Sequence, residues 1–152
     1  MAGFSTAMPT SYKAELAQAL HNHTAITGHD FKCALGVASP VGTFDATTTN
    51  YSNLGADELA ATGGYTTGGF DFTAANNTTP LGSAGTAYWQ WGINPSWTSA
   101  TFSTSGCLIY NATSGNRAVY VGSFGGAQTV SSGTLTLVMP TNGTTTSLLR
   151  IQ

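Results

Sequence analysis

Charge is what this chain has least of. Of its 152 residues, 7% are Asp, Glu, Lys or Arg, against about 25% in typical soluble domains. All six acids lie at or before Asp71, and beyond it only Arg117 and Arg150 are charged. Phosphate recognition needs clustered Lys and Arg, so this scarcity excludes a nucleic-acid partner. The chain also lacks a run of about 18 apolar residues that would span a membrane. Its start, "MAGFSTAMPTSYK", has no basic stretch followed by an apolar one of secretory type. Two cysteines, Cys33 and Cys107, do not make a disulfide framework. Each sits in a strand-like run, where buried free thiols or one disulfide are the two readings.

What fills the gap is Thr, Ser, Asn and Gly. Hydrophobic content is 41%, ordinary for a globular protein, and the length points to one domain with a sizeable core. A neutral, Thr/Asn-rich surface suits a protein that sits against other proteins, because charges are depleted at interface cores.

The segment before Gly28 differs from the rest. Residues 1–10 read as an extended arm. In "SYKAELAQALHN", Ser11 is placed to cap a helix, and Tyr12, Leu16, Ala19 and Leu20 fall at spacings of three and four, one face of a helix too short to stand alone. From "FKCALGV" onward the pattern is β. "GGFDFT", "TAYWQWG", "ATFSTS", "CLIYN", "AVYVGSF", "TLTLVMP" and "SLLRI" are separated by turn clusters such as "NNTTPLG" and "NATSGN". With one more strand expected near "DELA", this predicts an all-β, jelly-roll-like sandwich of about eight strands. The domain reading is an arm and short helix over 1–28 and a sandwich over 29–152. The connection from Gly36 to Gly69 is either a functional loop or a region of short, hidden strands. The glycines of "GGYTTGGFDF" mark bulges or backbone crossings rather than a phosphate loop, since the required Lys is missing.

Chemical motifs are few. Asp57 and Glu58 are adjacent and would point to opposite faces of a strand, unlike a glycosidase pair. "VGSFGG" lacks the first glycine of a nucleophile elbow and has no helix after it. All three histidines lie in "HNHTAITGHD". Their spacing is not that of a zinc-protease helix and no Glu is beside them, so a solvated or interface loop is the main reading and a metal site the lesser one. No catalytic, cofactor-binding or metal-ligating residue is assigned. Tyr88, Trp89, Trp91 and Trp97 remain. They are core, anchors at a protein interface, or stacking platforms for sugar rings.

The last third carries a more specific signal. "GCLIYN" (106–111), "SGNRAV" (114–119), "SFG" (123–125), "SSGTLT" (131–136) and a final apolar strand with Arg150 follow one another in the order seen in a family of small virion proteins of tailed bacteriophages. Upstream, "HNHTAITGHDFKCAL" and "ATGGYTTGGFDF" resemble that family's opening segments, so the likeness covers residues 21–151. The sequence departs from the pattern at His23, where an apolar aromatic is usual, and at Ser123, where Asp is common. The resemblance implies a capsid cement or head decoration protein of jelly-roll type, without catalysis. It would be made in the host cytoplasm and placed on the outer surface of the virion. Implied partners are the major capsid protein and further copies of the chain, as dimer or trimer. No nucleic acid or membrane is implied. Phe4, Met8, Tyr12 and Leu16 of the arm, with Tyr88, Trp89, Trp91 and Trp97, are then the interface candidates. The alternative is a glycan- or host-binding module of a fibre or tail surface.

Overall fold

The computed structural model describes residues 2–152. The chain is an all-β sandwich with one helix. Its centre is a four-stranded antiparallel sheet. The strands are β2 (Phe31–Val37), β4 (Phe70–Asp71), β7 (Ser96–Asn111) and β8 (Arg117–Thr136), in the order β4-β2-β7-β8. A three-stranded antiparallel sheet, β5 (Leu81–Ser83), β6 (Thr86–Trp89) and β9 (Leu149–Ile151), contributes Trp89 and Leu149 to one side of the core. A parallel pair, β1 (Gly3–Phe4) with β3 (Thr43–Phe44), completes the strands. The helix, α1, spans Thr10–Ala17.

The central sheet is buried on both faces, which explains why its strands read as nearly continuous apolar runs. Cys33, Leu35, Cys107, Ile109 and Val119 belong to the larger cluster, with Tyr12, Phe31, the three tryptophans and Leu149. Ala34, Leu108, Tyr110, Ala118 and Val121 belong to a second cluster with Phe4, Phe44 and Leu54. Alternate residues of one strand thus serve two cores. Phe4 stacks on Phe44 with ring centroids 4.7 Å apart. Its ring lies against Gly36 and Gly106, where any Cβ would overlap it, so two glycines floor its seat.

The structure departs from the sequence reading at identifiable places. "ATFSTS" and "CLIYN" are one strand, as are "AVYVGSF" and the start of "TLTLVMP". The glycines between them bend and bulge a continuous ladder instead of ending it. The largest irregularity lies between the pairs Thr104–Gln128 and Gly106–Ser123, where β8 carries the extra residues 124–127. The strand expected near "DELA" is instead a 3-10 turn, Gly55–Asp57, followed by a single bridge from Glu58 to Gly36. Ser11 is not the cap of α1. Pro9 holds that position, and the helix stops at Ala17 because Ala19 turns to φ 56°. Its buried face is Tyr12 and Glu15 rather than Tyr12, Leu16, Ala19 and Leu20. A charged residue takes the inner position because its carboxylate is paired there.

The arm lies on its own sandwich. Besides β1, Ala7 exchanges two backbone hydrogen bonds with Val121, each 2.9 Å, and Thr10 N–H donates to Ala46. The long connection 38–69 is likewise folded. Asn50 and Asn53 form a reciprocal capping box around the turn Tyr51–Asn53. The glycine-rich stretch does make backbone crossings: a Cβ on Gly63, Gly64 or Gly69 would strike the main chain of Thr101, Thr98 or Cys33.

Candidate functional site

The histidine segment leaves α1, crosses the end of the sheet and enters β2, and its rings turn inward. His21 and His23 are 8% and 4% exposed, so the solvated or interface loop reading is corrected for these two rings, which are a polar part of the core, while Asn22, Thr24, Ile26 and Thr27 of the same segment are exposed. Asn111, the last residue of β7 and fully buried, organises it. Its Oδ1 accepts from the backbone N–H groups of Thr113 and Ser114 at 3.2 and 3.0 Å. Those two bonds fix which way the amide points. Nδ2 therefore faces the histidines, 2.9 Å from Nδ1 of His21 and 2.9 Å from Nδ1 of His29. Each amide hydrogen meets one imidazole nitrogen, which must be an unprotonated acceptor.

On its other side, His21 Nε2 donates to Glu15 Oε2 at 2.8 Å, and Arg117 donates to Glu15 Oε1 at 2.9 Å. Helix, loop and edge strand thus meet on one carboxylate. Burial holds the pKa of His21 below its ordinary value, against the pull of Glu15. His23 sits deeper. Its ring stacks on Phe31 at 4.4 Å. Trp89 Nε1 donates to the Tyr12 hydroxyl at 3.2 Å, and that hydroxyl, 2.7 Å from His23 Nε2, is left to donate to it. Burial pushes the pKa of His23 down to about 3 and that of Tyr12 well up. Both are neutral at ordinary pH. The carboxylate–imidazole pair has the look of a hydrolase dyad, but an amide, not a nucleophile, occupies its far side. Among the described residues, no three His, Cys, Asp or Glu side chains are placed to share a metal ion.

All six acids are committed to the fold. Glu15 holds Arg117 and His21, Asp30 accepts from Ala74 N–H, and Asp45 from Thr47. Asp57 accepts from Val41 and Gly42 N–H at 2.9 and 2.7 Å. Glu58 accepts from Tyr51, Tyr65 and Gly68 at 2.5, 2.8 and 2.6 Å. Asp71 pairs loosely with Lys32 at 3.8 Å. Burial first, then the Glu58 charge, raises the pKa of Tyr110 to about 12, and Tyr51 and Tyr65 are raised further.

Of the interface candidates, Trp89, Trp91 and Trp97 are 4%, 0% and 6% exposed. They are core, so their rings offer no face to a sugar or a partner. Tyr12 and Phe4 are core as well. Met8, Leu16 and Tyr88 stay half-buried. Tyr88 has company: the sheet register sets Leu81 and Arg150 on either side of it, Leu81 being 51% exposed. Ile93 and Val138 are a second exposed apolar pair on neighbouring segments, which Asn94 ties together through Met139 N–H.

The thiols are free and buried. A hydrogen bond with Cys107, together with burial, pushes the Cys33 thiol well up. Both line an apolar groove of about 290 Å³ beside Tyr120, Leu137 and Met139.

Sequence reasoning missed Asn111, Glu15, Arg117 and Glu58. The available signal was rarity: in a chain with ten charged side chains, each retained charge calls for a partner. Comparisons with protein-family models, curated proteins and solved structures found no match.

Proposed function

We propose that this chain is a structural, non-catalytic virion protein, a cement or decoration protein that binds the outer surface of a tailed-phage capsid and contacts further copies of itself. The observation that carries the reading is where the charge sits. The acids are spent on internal bonds, and the sequence beyond Asp71 adds only two cations. What remains outside is mainly a Thr, Ser, Asn and Gly surface, on which Lys13, Asp30, Asp71 and Arg150 are the exposed charged residues, with exposed apolar side chains such as Val41, Leu81 and Val138. Such a surface loses little on desolvation against another protein, where an unpaired charge would cost several kcal/mol. The sequence resemblance to small virion proteins points the same way. So does the fold, a rigid sandwich with its arm already seated. No helix among the described residues is long and apolar enough to cross a membrane.

Quantitative mass spectrometry of purified particles tests this. The expected result is a copy number on the order of that of the major capsid protein. Absence from the particles overturns the reading. Tyr88→Ala on the Leu81–Tyr88–Arg150 patch is expected to weaken association with heads at least tenfold without changing the thermal midpoint of the free protein.

A further inference from the structure

Helix α1 turns its two buried side chains, Tyr12 and Glu15, to imidazoles of the segment that follows it. Tyr12 reaches His23, and Glu15 reaches His21. Arg117 also donates to Glu15, and Trp89 to the Tyr12 hydroxyl. His21 and His29 are held in turn by the amide of Asn111. That amide is not free to rotate, because Thr113 and Ser114 hold its oxygen. A protonated imidazole has no acceptor. A proton on Nδ1 of His21 or His29 would therefore set donor against donor across 2.9 Å.

We propose that this junction is an acid-sensitive latch: neutral His21 and His29 accept the two amide hydrogens of Asn111, and protonation releases residues 10–29 from the sheet while the sandwich stays folded.

The surroundings decide the direction. From α1 come Tyr12 and Glu15, with Lys13 exposed. From β8 comes Arg117, already on Glu15, so a charged His21 would share one carboxylate with a second cation. From β2, Phe31 is apolar and Lys32 pairs with Asp71. From β6 and the residues after it come Trp89 and Trp91, which offer His23 rings and no anion. Asp30 is held by Ala74 N–H. Among the described residues, Glu15 alone is positioned to welcome a proton on His21, and the Nδ1 of His23 has no partner for one. Burial keeps both rings below the usual histidine range.

Hydrogen exchange on the full chain, corrected for intrinsic rates, tests the latch between pH 7.5 and 4.5. The expected result is at least a tenfold loss of protection in residues 10–29 while residues 106–111 and 118–122 keep theirs. Loss of both together, or of neither, overturns it. Protonation of Glu15 would loosen the same helix, so Asn111→Asp separates the two. Its carboxylate still accepts from Thr113 and Ser114 and now also accepts from a protonated imidazole. The segment should stay closed at the pH where the wild type opens; opening at the same pH assigns the effect to Glu15 and overturns the proposal. Ring ¹⁵N shifts of the wild type at pH 7.5 give a readout that does not depend on the variant. His21 and His29 should both be Nε2–H tautomers, and an Nδ1–H tautomer at either contradicts the latch.

Discussion

Single atoms hold much of this fold, because a chain with few charges relies on buried hydrogen bonds. The Tyr12 hydroxyl bridges Trp89 and His23 with no exposure to solvent. Tyr12→Phe strands both partners, so it should destabilise by about 1–3 kcal/mol in urea unfolding and lower Tm by roughly 2–4 °C per kcal/mol. An unchanged midpoint would mean that the bridge contributes nothing. Gly69 makes the same point about backbone. It has φ 83°, and a Cβ there would run into the Cys33 carbonyl. Gly115 has φ 64° with nothing within 4 Å. Gly115→Ala should cost ~1–2 kcal/mol, the left-handed penalty alone, and Gly69→Ala distinctly more, since β4 must part from β2. Equal costs in denaturant titrations would refute the crossing.

At the scale of elements, the long connection 38–69 is held by two neighbouring carboxylates. Asp57 turns to Val41 and Gly42, Glu58 to Tyr51, Tyr65 and Gly68. Glu58→Ala leaves two phenols and a backbone N–H without their acceptor. Limited proteolysis should then cut within residues 60–68 much faster than in wild type, with Glu58→Gln intermediate because its carbonyl still accepts. Equal resistance in all three would show that the connection is held by packing alone. This element also shows where the sequence was legible. "FKCALGV" became β2 with its bounds intact, because alternation over an apolar run has one solution in a sheet. "DELA" did not become a strand, because its acids have partners more than six residues away that no local pattern announces. The short helix was legible, but its buried face was not, since Glu15 is apolar by no scale and is inward only because Arg117 and His21 meet it. For the same reason Asn111 looked like the end of a strand and nothing more: its role needs the 90-residue separation from His21 to close. The tryptophans were legible as core, interface or sugar platform, and only the packing of β6 and β7 decided among them.

For the whole molecule, stability should have a plateau with two edges. His21 and His23 have folded pKa values below the unfolded value of about 6.5. Below that pH the unfolded chain binds protons that the closed form refuses, so stability is full above about 6.5 and falls with acid, by up to ~1.4 kcal/mol per pH unit for each histidine, until the segment opens and the folded chain takes the protons too. Tyr12, Tyr51, Tyr65 and Tyr110 have folded values above about 10. Their contribution is present below that pH and is lost as pH rises through and beyond it. Urea unfolding from pH 4 to 11 should trace both edges, and a flat acid limb would show that the buried histidines exchange protons freely in the folded state. The same burial of polar groups leaves an outer surface with little charge, which suits the proposed contact with other proteins. A cryo-EM map of the intact particle is the most direct test. The expected map has density for a nine-stranded sandwich on the outer face of the capsid lattice, with the Leu81–Tyr88–Arg150 patch in contact with a neighbouring subunit. A lattice whose density is complete without this chain would rule out the capsid role.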